Sequence, residues 1–206
     1  MKYIDLSHKI DHGIPVYPGD MNVSLVQEKS IGEDKYTAYS FSTGLHAGTH
    51  IDCPMHLIDS CRTISEYPLE CFAGRGYLID ARQESVVGYK AEYDNNISRN
   101  DIVLVLTGTD AFYGSEQYYN NHPVITEELV GFLLSREIKI LGVDMPSPDY
   151  PPFPVHKLLL GKGIFILENL TGLEQLLSIK HFEVFAEPLK ICAEASLTRA
   201  FARIQG

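Results

Sequence analysis

Between His46 and His56 the chain reads His46-Ala47-Gly48-Thr49-His50-Ile51-Asp52-Cys53-Pro54-Met55-His56, with three of its eight histidines and an aspartate within this stretch. Imidazole and carboxylate are the ligands of divalent transition metals. In an extended segment side chains alternate between faces, so His46, His50 and Asp52 project together and Gly48 leaves a gap between them. Two imidazoles and a carboxylate converging on one point make a metal site. A helix would also bring His46 and His50 together, as neighbours four apart. Gly48, Thr49, Ile51 and Pro54 argue against it: one is flexible, two are β-branched, and the proline cannot continue a helix. No glutamate follows His46, so this is not the zinc-protease helix motif. The plainer alternative is a hydrogen-bonded His–Asp pair on a surface strand; three histidines in one run speak for metal.

Further along, His156 follows the turn Pro146-Ser147-Pro148-Asp149-Tyr150-Pro151-Pro152, and Glu168 closes the apolar run Ile164-Phe165-Ile166-Leu167. A carboxylate ending a buried strand is costly to desolvate unless paired or metal-bound. The alternative is a Glu168 that simply emerges into solvent, and Asp144, also at a strand end, has the same two readings. Spacing leaves open whether His156 or Glu168 meets His46 in space. Near the N-terminus, Asp11 to Asp20 carries Gly13, Pro15, Pro18 and Gly19 and reads as a turn-rich loop. Tyr17 is its largest aromatic, placed either over a pocket or as packing filler.

The elements that must position these groups are mostly short. Alternation predicts strands at 3–7, 22–27, 36–43, 77–80, 181–186 and 197–204. Continuous apolar runs predict strands covered on both faces at 102–106, 138–143 and 163–167. Helices are expected at 66–72, at 155–160, and at 126–136 with Thr126 as N-cap and Glu127 and Glu128 in the first turn. Residues 83–96 read as loop or weak structure. No repeat or low-complexity linker divides the chain, so residues 1–206 are expected to form one α/β domain on a mixed sheet.

Composition narrows the partners. The 206 residues carry a formal net charge of −10 and are 45% hydrophobic. No run of five or more basic residues is present, so no nucleic-acid partner is expected. No apolar run reaches the ~20 residues that span a bilayer, so no membrane partner is expected. Met1-Lys2-Tyr3-Ile4-Asp5-Leu6 has an acid where a signal peptide would be apolar, and a cytoplasmic location is expected. Cys53, Cys61, Cys71 and Cys192 are then thiols by default, and none forms a Cys-x-x-Cys pair.

The stretch His46-x-Gly48-Thr49-His50-x-Asp52-x-Pro54-x-His56 closely resembles the signature of the cyclase superfamily of metal-dependent hydrolases, which includes bacterial kynurenine formamidases (arylformamidases). Pro15-Val16-Tyr17-Pro18-Gly19-Asp20 is similar to the family's N-terminal loop, and Gly142-Val143-Asp144-x-x-Ser147-x-Asp149 to its turn before the second ligand set. His156-x-Leu158-Leu159-Leu160 and Glu168-Asn169-Leu170 resemble its late histidine and glutamate. The resemblance implies a compact α/β fold around a curved, largely antiparallel sheet with flanking helices, usually a homodimer. It implies two divalent metal ions per chain, zinc first, with manganese and iron also compatible. His46, His50 and Asp52 would hold one ion, Asp52 and His156 the other, and Glu168 would contact both. His56 would be the catalytic acid–base group and Tyr17 would line the substrate pocket. The implied activity is hydrolysis of a small amide, foremost an aryl formamide such as N-formylkynurenine, as in tryptophan catabolism. An isatin- or lactam-type hydrolase, a cyclase-type enzyme or a non-catalytic metal-binding domain are the alternatives. Two positions depart from the formamidase pattern: Tyr17 stands where tryptophan is usual, and Cys53 where alanine is usual. Cys53 alternates away from the ligands and reads as a small buried hydrophobe.

Overall fold

The uninterrupted apolar runs set the centre of the sheet. In the computed structural model, which describes residues 1–204, the strands Ile102–Leu106, Ile140–Val143 and Phe165–Glu168 are buried at every position. In chain order the strands are β1 (Lys2–Asp5), β2 (Ser24–Lys29), β3 (Ala38–Ser42), β4 (His50–Asp52), β5 (Ala73–Asp80), β6 (Val86–Val87), β7 (Ile102–Leu106), β8 (Val124–Ile125), β9 (Ile140–Val143), β10 (Phe165–Glu168), β11 (Phe182–Phe185), β12 (Ala195–Leu197) and β13 (Phe201–Ile204). The α-helices are α1 (Ile31–Asp34), α2 (Glu116–Asn120), α3 (Glu127–Ser135) and α4 (Pro154–Leu160).

Nine strands form one curled mixed sheet in the order β1-β13-β11-β5-β7-β9-β10-β4-β12. Strands β5, β7, β9 and β10 run parallel, and the pairings on both flanks are antiparallel. Side chains alternate across the central strands and feed two cores. Ile102, Leu104 and Leu106 join Ile4, Ile51, Cys53, Phe182 and Val184 on one face. Val103, Val105, Leu141 and Ile166 join Leu129, Val130 and Leu133 of α3 and Val155 and Leu159 of α4 on the other. The parallel centre is therefore covered by helices on one side and by the curl of the sheet on the other. Helix α3 begins as expected, with the Thr126 hydroxyl accepting from the Leu129 amide at 3.2 Å. Among the described residues no helix is long and apolar enough to cross a membrane.

One register matters most for chemistry. Strand β4 runs antiparallel to β10, with His50 opposite Glu168, Ile51 opposite Leu167 and Asp52 opposite Ile166. Ile51 and Leu167 enter the first core, so His50, Asp52 and Glu168 emerge together on the other face, where α4 lies.

Several expectations are corrected. The extended stretch does not begin at His46: residues 45–49 form turns and bends, and extension starts at His50. Gly48 is the cause. Its φ is +61°, and a Cβ there would approach Ile10 Cδ1 to 2.8 Å, so the chain reverses on the residue that has none. The helix expected at 66–72 is two 3-10 turns, Ile64–Glu66 and Leu69–Cys71, separated by Pro68. The strand expected at 197–204 is two strands, β12 and β13, which pair with different neighbours, β4 and β11. Leu6 and Ser7 lie beyond the end of β1, and Ser7 forms only an isolated bridge to Leu170.

Candidate metal centre

The five side chains singled out as ligands meet in space. His50 Nε2 lies 3.2 Å from Glu168 Oε2 and 3.6 Å from Asp52 Oδ1. His156, carried by α4, brings Nε2 within 3.1 Å of Glu168 Oε1. His46 reaches in from its turn, Nδ1 3.1 Å from Asp52 Oδ1. Two sets of three have ligand atoms within 4.8 Å of one another: His46, His50 and Asp52, and Asp52, His156 and Glu168. Asp52 belongs to both.

Neighbouring groups choose which ring nitrogen faces the centre. His50 Nδ1 lies 2.9 Å from the Gly48 carbonyl, which can only accept, so this nitrogen carries the proton. Asn169 Nδ2 donates to the same carbonyl at 2.9 Å, and Asn169 Oδ1 accepts from the Tyr118 hydroxyl at 2.6 Å. His156 Nδ1 donates to Asp149 Oδ1 at 2.6 Å, while Asp149 Oδ2 accepts from the Val155 amide at 2.6 Å and so fixes the start of α4. Both imidazoles are thereby held with Nε2 directed at the carboxylates of the centre, the orientation that outer carboxylate and carbonyl partners commonly impose.

A divalent ion fits this donor set. His50 Nε2, Asp52 Oδ1 and Asp52 Oδ2 are buried without a hydrogen-bond partner, and the approach of His46 to Asp52 lacks hydrogen-bond alignment. A buried carboxylate with neither oxygen bonded is costly unless a cation satisfies it. Charge within the centre is balanced by its own members. Burial opposes ionisation of Asp52, yet His46 and His50 outweigh it and hold the carboxyl well below the usual carboxylate range. Burial likewise opposes a charged His46, but Asp52, Glu168 and Glu194 raise it to about 9. His156 is raised to about 10, with Asp149 and Glu168 overcoming its burial. Glu168 is lowered, its burial outweighed chiefly by His156 and His50. The carboxylates are thus held ionised, and a bound cation would displace the extra protons of His46 and His156.

His56 stands in the 3-10 turn Pro54–His56, its ring 4.5 Å from that of His46 and 6.2 Å from that of His156. It belongs to neither ligand set, and its ring makes no hydrogen bond among the described residues. Burial is the main influence on it, and its pKa is lowered. His46, His50, His56, His156 and Glu168 all border a cavity of about 240 Å³. Tyr17, Tyr113, Tyr119, Phe153 and Leu57 supply its apolar wall. Tyr17 therefore borders the pocket; it meets Tyr119 edge-on at 5.8 Å and its loop is tied down by the Tyr113 hydroxyl donating to the Pro15 carbonyl at 3.1 Å.

Asp144 does not emerge into solvent either, but its burial is met by hydrogen bonds rather than by the centre. Its carboxylate accepts from the Thr107 amide and hydroxyl and the Gly108 amide, a structural cage at the ends of β7 and β9, while burial pushes it up to about 6. Cys53 is buried among Ile51 and Ile64, away from the ligands. Sequence reasoning missed Tyr113 and Tyr119, although the cluster Phe112-Tyr113 and Tyr118-Tyr119 signalled aromatic density. It also gave no role to Asp149 or Asn169, and it contained no signal at all for Glu194.

Known proteins resemble this chain along nearly its whole length. A kynurenine formamidase of Geobacillus thermodenitrificans is 28% identical over 209 residues, covering 99% of this chain and 98% of that protein. One from Bacillus cytotoxicus is 26% identical over 215 residues, covering 98% and 97%. Isatin hydrolase A from Labrenzia aggregata, solved with benzyl benzoate, superposes with a TM-score of 0.88 at 25% identity, covering 100% of this chain and 94% of that one. The family model named Cyclase matches residues 4–150 and so takes in the His46–His56 stretch, the aromatic segment and the Asp149 turn; the chain belongs to the cyclase family.

Proposed function

We propose that the protein is a metal-dependent hydrolase of small amides, with an aryl formamide such as N-formylkynurenine as the leading substrate. The observation that carries this is the pair of converging sets that share the buried Asp52, with His46, His50, His156 and Glu168 bordering an aromatic-walled cavity and His56 bordering it outside both sets. The formamidase relatives support the reading. Divalent ions held by His46, His50, Asp52, His156 and Glu168 supply Lewis acidity for an amide carbonyl and for the attacking water. The chain's own residues do the rest. The outer partners Gly48, Asn169 and Asp149 keep two imidazoles in one tautomer. Tyr17, Tyr119 and Phe153 hold a flat substrate and exclude water from one side of it. His56 takes a proton from the attacking water at a ring nitrogen and returns it to the departing amine, the step a poor leaving group needs.

Opening of a cyclic amide such as isatin is the second reading, favoured by the superposition on isatin hydrolase A. Formate release from formanilides, set beside ring opening of isatin, separates the two: formate release with inert isatin supports the leading reading, and the reverse pattern replaces it. Tyr17 gives a further check. An aromatic contact is worth ~0.5–1.5 kcal/mol beyond area burial. Tyr17→Ala should therefore raise KM several-fold for aryl formamides and leave N-methylformamide nearly unchanged. Equal effects on both substrates, or none, would show that the ring does not meet the substrate.

A further inference from the structure

His46 differs from the other ligand histidines in the nitrogen it turns inward. His50 and His156 give Nδ1 to protein acceptors and direct Nε2 at the centre. His46 does the reverse: Nδ1 is 3.1 Å from Asp52 Oδ1, and Nε2 is 3.5 Å from Glu194 Oε1. We propose that Glu194 is the positioning residue of His46, its carboxylate accepting the Nε2 proton and holding the tautomer whose Nδ1 lone pair faces the metal. This rests on the metal-centre reading above.

The backbone puts Glu194 where this role requires it. Ala195 pairs with Asp52 in the β12–β4 ladder, and the Cys53 amide donates to the Glu194 carbonyl at 3.0 Å. Glu194 is thus tied to the ligand strand itself, although far from it in sequence. It is not placed as a ligand, since neither converging set includes it. His46 is also the ligand histidine most in need of an outer partner. Its side chain is 24% exposed, against 1% for His50 and 5% for His156. Packing therefore confines this ring less than the other two. Glu194 is 37% exposed, and a small rotation of either side chain brings 3.5 Å to hydrogen-bond length. A carboxylate on the outer N–H also makes the inner nitrogen a stronger donor.

The test uses the zinc ion as probe. Zinc affinity of the wild type, Glu194→Ala and Glu194→Gln is measured by competition with a chromophoric chelator, and long-range ¹H–¹⁵N spectra of the zinc-loaded wild type assign the His46 nitrogens. Removal of an outer partner commonly costs 10–100-fold in affinity, and solvent exposure puts Glu194→Ala near the lower end, about tenfold. Glu194→Gln, whose amide oxygen still accepts, should recover most of that loss, and the spectra should show Nδ1 bound and Nε2 protonated. Binding through Nε2, or unchanged affinity in Glu194→Ala, overturns the proposal alone. Loss of a whole zinc equivalent in Glu194→Ala would make Glu194 a ligand and overturn it as well. A wild type that takes up no zinc overturns the metal centre and this proposal with it.

Discussion

Asp52→Ala should empty both halves of the centre and abolish amide hydrolysis. Asp52 is the one residue common to both converging sets, and both its oxygens are buried without a hydrogen-bond partner. If each set holds an ion as proposed, removing Asp52 would take a ligand from both at once, whereas the loss of His46 or His156 would take a ligand from one. Asp52→Asn is the companion variant, since it preserves side-chain volume. An amide lacks the charge that offsets His46 and His50, so it should also fail to retain metal. In both variants elemental analysis should find near-zero divalent ion, and formate release should fall to background. Retention of a full ion by either variant would show that the two sets do not share this carboxylate.

His56→Ala should behave in the opposite way toward metal. The ring lies 4.5 Å from His46 and 6.2 Å from His156, within reach of the shared centre, yet outside both ligand sets. A proton shuttle in that place contributes turnover without holding the ions. Turnover should drop by about 10²–10⁴-fold, as is usual for a removed acid–base group, with metal content unchanged. If metal is lost together with activity, His56 is a ligand and the proton must travel by another group.

What the sequence revealed and what it hid follow from the range of the interactions. His50 and Asp52 are legible because period-two alternation is a local property and β4 obeys it. His46 reaches Asp52 by another route than expected: it enters from a turn made possible by Gly48, not from the strand. The buried strands β7, β9 and β10 are legible as apolar runs because their cover lies on both faces. Their neighbours are not, since the pairing of β10 with β4 joins Glu168 to His50 across a separation that no periodicity reports. The family resemblance bridged that gap for His156 and Glu168. It said nothing of the roles of Asn169 and Asp149, which act through the Gly48 carbonyl and the His156 ring and are visible only as hydrogen bonds. Glu194 is the extreme case, a lone acid between two alanines whose meaning comes entirely from the register of β12 on β4.

Two ions seated on the sets sharing Asp52 are proposed as the requirement for the chemistry. Elemental analysis of protein purified without chelator, followed on the same sample by formate release before and after chelation, tests it most directly. Close to two divalent ions per chain are expected, with activity lost on chelation and restored by adding metal back. Full turnover from a metal-free chain would contradict it.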